Sequence, residues 1–84
     1  MVVTADFQTG GKGQRGKEWE SSRGENLLLS AVIESNISID NQFDLNILSS
    51  LAVMDCLKSY DIDSQLKWPN DILVNKCKIA GILI

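Results

Sequence analysis

The sequence predicts an α+β (mixed α/β) fold, part of a central mixed sheet carrying one main amphipathic helix. Short β-prone runs at residues 1–7, 66–68, 72–74 and 78–84 are bounded by turn-forming residues. One long stretch, from Phe43 to about Tyr60, places apolar residues at helical spacing. The order that results is β, loop, β, α, β, β, which differs from the repeating βαβ series of a doubly wound parallel sheet.

Val2, Val3, Thr4 and Phe7 make the first run β-prone, and a glycine-rich loop follows from about Gln8 to Gly24. Residues 26–34 are nearly continuous apolar sequence, as expected of a strand covered on both faces. Gly24 before this run and Ser35-Asn36 after it limit it to strand length. In the helical stretch Leu45, Leu48, Ala52 and Cys56 form the expected buried stripe, widened by Ile47, Leu51 and Met54. Asp44 is the expected N-cap, and Lys58 stands where a cation suits the C-terminal dipole. Asp61-Ile62-Asp63-Ser64 ends the helix. Pro69 interrupts the strand-like run that follows, which implies an edge, a bulge or a turn, and Asn75-Lys76 is the turn before the last strand.

A chain of 84 residues is one domain at most, with a thin margin of stability. Its 44% apolar content argues against disorder. The net charge of -3 disfavours non-specific nucleic-acid binding, yet Lys12, Arg15, Lys17 and Arg23 crowd one segment. That pattern suits local anion recognition within an acidic body. There is no histidine, which removes Ser-His-Asp triads, histidine-ligated zinc and imidazole base catalysis. Cys56 and Cys77 show no metal-ligand spacing. With no signal peptide they are expected to be free thiols in a reducing cytoplasm. No apolar run approaches the roughly 18 residues of a membrane span.

Gly11-Lys12-Gly13-Gln14-Arg15-Gly16 matches GxGxxG letter for letter. A dinucleotide fingerprint also needs a helix opening at the third glycine, and Gly24 breaks any helix here within about two turns. Residues 11–17 also fit the start of a P-loop, but Glu18 stands where a Mg²⁺-binding hydroxyl is required. A third reading needs no helix: backbone N–H groups with Lys12, Arg15 and Lys17 wrap an anion, and Trp19 stacks on a heterocycle or shields the site. The bland alternative is a solvated basic turn with Trp19 in the core.

Lys67-Trp68-Pro69-Asn70-Asp71 sets a lysine, an amide and a carboxylate around one turn. Such a group can bind a nucleotide with its Mg²⁺, the carboxylate of Asp71 taking the metal. Lys78 precedes Ala80 and Gly81, small residues that let a ligand lie against the backbone. In a partly desolvated pocket Lys78 can pair with a substrate carboxylate. The plain alternatives are turn residues and an edge-strand lysine that discourages aggregation.

In series these segments resemble the catalytic domain of the biotin protein ligase, or biotin–[acetyl-CoA-carboxylase] ligase, family. The matching residues are Asp6 to Trp19, Asn26-Leu27 to Ser30, Lys67 to Asp71 and Lys78 to Leu83, nearly the whole chain. Lipoate ligases share the fold but typically lack the pairing of this glycine loop with Lys-Trp-Pro-Asn-Asp. The resemblance implies a class II synthetase-like, biotin–lipoate ligase fold. It also implies an ATP- and Mg²⁺-dependent reaction: biotin becomes biotinyl-5′-AMP, and a lysine of the biotin carboxyl carrier protein then takes the biotinyl group. By position, Gln8, Gly11, Lys12, Gly13, Gln14, Lys78 and Gly81 are expected at biotin. Lys12, Gln14, Arg15, Trp19, Lys67, Asn70 and Asp71 are expected at the nucleotide, with Asp71 at the metal. Lys78, Lys67 and Arg15 are the expected catalytic cations.

Two departures from the family pattern stand out. The family loop often reads Gly-Arg-Gly-Arg, and Gln14 removes bidentate phosphate recognition at its position. The family's Ser-Thr-Asn segment before Val2 and Gly-Ile-Asn strand after Ile84 are not in the sequence. Residues 1–84 are therefore expected to be a catalytic domain truncated at both ends, with little activity alone. No DNA partner is expected, because the helix-turn-helix of some relatives is missing, and no membrane partner. A non-catalytic nucleotide- or anion-binding fragment and a lipoate-ligase-like relative are the alternatives.

Overall fold

The computed structural model describes all 84 residues, and the chain divides into two compact units, Met1–Asn36 and Ile37–Ile84. The first unit is built on two strands, β1 (Val2–Ala5) and β2 (Leu28–Ala31), paired antiparallel from Val2↔Ala31 to Ala5↔Leu28. Val32 N–H donates to the Met1 carbonyl at 2.7 Å and the terminal ammonium returns a bond to the Val32 carbonyl at 3.0 Å, which lengthens the ribbon by one pair. Between the strands Gly24 adopts φ 74°, a left-handed turn glycine favours, and its N–H closes on the Asp6 carbonyl at 2.9 Å.

β2 is shorter than the apolar run that contains it, and it is not covered. Leu29, Val32 and Ile33 are exposed, and β1 is the sole strand partner. The β-propensity of the run makes the strand, but a two-stranded ribbon supplies no layer to cover either face.

In the second unit α1 (Gln42–Ser59) precedes a three-stranded antiparallel sheet of β3 (Gln65–Lys67), β4 (Asp71–Val74) and β5 (Cys77–Gly81), with β4 in the centre. Asn41, not Asp44, stands at the N-cap, without a side-chain capping bond; Asp44 lies inside the first turn, where its charge still suits the dipole. The helix ends in a Schellman closure. Asp61 takes φ 59°, its N–H meets the Lys58 carbonyl at 2.9 Å, and the Ile62 N–H reaches back to Leu57 at 3.0 Å. Just beyond, Asp63 accepts from Lys58 at 2.7 Å; that hydrogen bond and the attraction behind it lower the Asp63 carboxyl and raise the Lys58 ammonium from their ordinary values. No helix is long and apolar enough to cross a membrane.

The helix packs against β4, but not with the expected stripe. Asn46 and Ser50 are its buried residues; of the expected stripe, Leu45, Ile47 and Met54 are half-buried, whereas Leu48, Leu51, Ala52 and Cys56 are exposed. Residues 46, 50, 53 and 57 recur at helical spacing and form the packed face, with Val53 and Leu57 half-buried. Ser50 is fully buried because its hydroxyl is satisfied within the helix, donating to the Asn46 carbonyl at 2.9 Å. The one fully buried apolar side chain is Ile72 in β4. Replacing Ile72 by Ala is expected to cost about 3 kcal/mol, whereas Leu48→Ala on the open face is expected to stay within about 0.5 kcal/mol. Urea unfolding of the two variants measures the difference.

Candidate functional site

The glycine loop of the first unit is a miniature hairpin. Lys12 and Glu18 form an antiparallel bridge, the Gly13 N–H donates to the Lys17 carbonyl at 2.6 Å and the Trp19 N–H to the Gly11 carbonyl at 2.9 Å. Its tip is a single tight turn at Gln14–Gly16, where Arg15 (φ 56°) and Gly16 (φ 75°) both take left-handed conformations. Part of the expected cradle of backbone N–H groups is thereby taken up in the hairpin itself. The N–H groups of Gly13, Lys17 and Trp19 are committed to the hairpin's own carbonyls.

The hairpin has two faces. Lys12 and Glu18 share the exposed one, while Gly11, Gly13 and Trp19 alternate onto the other and are half-buried. A Cβ on Gly11 would collide with the Trp19 carbonyl oxygen and with Nε2 of Gln8, so the bare backbone is what lets the Gln8 amide lie against this face. Gln8, Gly11 and Trp19 are brought together and Gly13 lies against Lys17, while Gln14 is half-buried at the tip; Lys12 is turned away from Trp19, and Arg15 and Lys17 are exposed. Arg23 lies over the Phe7 ring, 4.2 Å from its centroid, so one of the four clustered cations is spent on an aromatic contact.

In the second unit the site is written across three strands. Lys67, Asp71 and Gly81 stand directly opposite one another on β3, β4 and β5, and so share a face. Leu66, Ile72 and Ala80 form the next row and point to the other, helix-covered side. An unbroken ladder would then set Ile79 opposite Leu73 and Lys78 opposite Val74, on the side of Ile72. The register shifts at Ile72/Leu73 instead, so that Ile79 is the extra residue of a bulge and Lys78 pairs with Leu73. That shift places Lys78 on the face of Lys67 and Asp71. Its Nζ meets Asp71 Oδ1 at 2.8 Å, with the lysine side chain 43% and the aspartate side chain 22% exposed.

Asn70, just before β4, is tied to the residue that follows β5. Its Nδ2 donates to the Ile82 carbonyl at 2.8 Å and its own carbonyl accepts from the Ile82 N–H at 3.1 Å. The Trp68–Pro69 peptide is cis, and the Trp68 ring leans on Phe43 of α1 with centroids 4.7 Å apart. Asn75 (φ 51°) and Lys76 (φ 66°) make the two-residue β4–β5 turn with both central residues left-handed, the type I′ geometry that fits strand twist.

A model of the biotin/lipoate A/B protein ligase family matches residues 1–84. The "Bifunctional ligase/repressor BirA" of Bacillus subtilis (strain 168) is 35% identical over 83 residues, covering 98% of this chain and 26% of that protein. The "Biotin--[acetyl-CoA-carboxylase] ligase" of Mycobacterium tuberculosis (strain ATCC 25618 / H37Rv) is 31% identical over 88 residues, 99% of this chain and 33% of its own. The "Biotin--protein ligase" of Homo sapiens is 36% identical over 92 residues, 100% of this chain and 12% of its own. The chain thus spans about a quarter of the length of the BirA relatives it matches.

Two structural features near the candidate residues carry no signal in the sequence. The bulge at Ile79 leaves no mark in composition, because Lys78-Ile79-Ala80 reads as an ordinary alternating strand. The Arg23–Phe7 contact joins residues sixteen apart, which only the turn at Gly24 brings within reach. The hairpin's dependence on a bare Gly11 is directly testable. Gly11→Ala is expected to loosen it by about 2 kcal/mol, seen as faster amide exchange at Gly13 and Trp19. Gly10→Ala, with no atom within 4 Å of the added carbon, is expected to leave both amides unchanged.

Proposed function

The chain belongs to the biotin/lipoate A/B protein ligase family, and on that premise we propose that residues 1–84 are part of a biotin protein ligase catalytic domain. The reaction is the ATP-dependent conversion of biotin to biotinyl-5′-AMP, then transfer of the biotinyl group to a lysine of the biotin carboxyl carrier protein of acetyl-CoA carboxylase. The observation that carries this reading is the sheet face on which Lys67, Asp71, Gly81 and Lys78 stand together, with Lys78 aimed there by a bulge. The names of the relatives support biotin over lipoate, and the ligase half of the BirA name is the half to which these residues speak.

In the first step a biotin carboxylate oxygen attacks the α-phosphorus and pyrophosphate leaves. Two anions have to meet, so the enzyme's task is to hold both and offset their repulsion. Lys78 takes the biotin carboxylate and the α-phosphate, with Gly81 leaving room beside it; Lys67 and Arg15 supply the further positive charge. Gln8 and the loop Gly11-Lys12-Gly13-Gln14 contact biotin and the adenylate, and Trp19 borders the adenine. Asn70 serves the nucleotide side from the start of β4, where its amide is bonded to the Ile82 carbonyl. Mg²⁺ arrives with ATP: no group of three or more carboxylate or thiol side chains could hold a metal by itself, and Asp71 plus phosphate oxygens is the donor set that suits this ion. We place the protein in the cytoplasm.

The second reading is a non-catalytic nucleotide- or anion-binding part, favoured by Gln14 standing where the related loop carries a guanidinium. Pyrophosphate release separates the two. With biotin, ATP and Mg²⁺ the full-length gene product is expected to form biotinyl-AMP, and Lys78→Met to slow this by about 100-fold or more. Residues 1–84 alone are expected to make little. ATP binding that calorimetry finds indifferent to biotin would overturn the ligase reading in favour of the second.

A further inference from the structure

We infer that Asp71 is a positioning and specificity residue for Lys78, an internal counter-ion that the substrate carboxylate must displace. This rests on the biotin reading of Lys78 given above. The geometry is specific. Asp71 Oδ1 lies 2.8 Å from Lys78 Nζ, and both side chains rise from the same sheet face because the bulge at Ile79 puts them there. Asp71 stands directly opposite Gly81, which has no side chain. The aspartate therefore draws the ammonium along β5 toward the one position on that strand where a ligand can lie against backbone.

The pair has two consequences. Lys78 is oriented by this contact before any ligand arrives, which reduces the ordering that binding would otherwise require. The same contact acts as competition. An incoming carboxylate gains the lysine only by replacing another carboxylate, so part of the attraction that a bare ammonium would offer is cancelled. A neutral ligand of the same shape has no such exchange to make. Asp71 thus tempers the preference for a charged acid group over a neutral one, while keeping Lys78 in the place where that group must sit.

The experiment compares biotin with biotinol, in which an alcohol replaces the carboxylate, by calorimetry on the full-length gene product. It is run without nucleotide or metal, so that a metal role for Asp71 does not enter. The natural sequence is expected to prefer biotin, and Lys78→Met to lose that preference. Asp71→Asn is expected to raise the biotin-to-biotinol affinity ratio about three- to tenfold, and Asp71→Glu to bring it back toward the natural value. Biotinol affinity is expected to stay nearly constant across Asp71→Asn and Asp71→Glu, a selectivity for the charged ligand that general destabilisation does not produce. Should Asp71→Asn fail to fold, Asp71→Ser reads the same ratio. A ratio unchanged or lowered in both neutral variants, with the natural preference intact, overturns this inference alone. No preference in the natural sequence overturns it together with the biotin reading.

Discussion

Lys78 reaches the polar face of its sheet because the β4–β5 ladder leaves one residue out. Side chains in a strand alternate strictly, so a slip of one position sends every later side chain to the opposite face. Here the residue set aside is Ile79, and the slip is local: Asp71↔Gly81 and Ile72↔Ala80 hold on one side of it, Leu73↔Lys78 and Val74↔Cys77 on the other. Two demands meet within this five-residue strand. Ala80 has to join Leu66 and Ile72 beneath the helix, while Lys78 has to stand with Lys67 and Asp71 above. A regular ladder cannot satisfy both, and the bulge does.

The remaining devices of the second unit fix the ends of that sheet. The left-handed pair Asn75-Lys76 fixes the hairpin register at one end, and the two bonds between Asn70 and Ile82 fix it at the other. Gln42 ties the start of α1 to the last residue through the Ile84 carbonyl at 2.9 Å. In the first unit the glycine hairpin follows a related logic: its backbone groups bond to one another, so that Lys12 and Glu18 take one face while Gly11, Gly13, Lys17 and Trp19 take the other.

Much of this was legible from residue order. The single helix, its end at Asp61, the Asn75-Lys76 turn and the β-prone runs follow from local preference and spacing. The packed face of α1 did not, for a definite reason. Its apolar residues lie nearly all round the helix, so no stripe stands out, and Asn46 and Ser50 take the inward positions by satisfying polar groups within the helix or leaving one unpaired. Asn70 and Asp71 were expected side by side at a nucleotide. The structure engages the first with Ile82 and the second with Lys78, partners twelve and seven residues distant that no local pattern announces. Candidate site residues were easier to name than to aim, because naming rests on residue type and aiming rests on register.

The ribbon of β1 and β2 has a bearing on how the molecule behaves in a crowded solution. Both of its outer edges offer unsatisfied main-chain donors and acceptors, and Val2, Val3, Leu29 and Val32 lie open beside them. No proline or inward-pointing charge within either strand blunts those edges. Such a ribbon is a template on which a further extended segment, from its own chain or a neighbour's, can dock by hydrogen bonding alone. Left without that segment at high concentration, it favours self-association into stacked sheets over remaining dispersed.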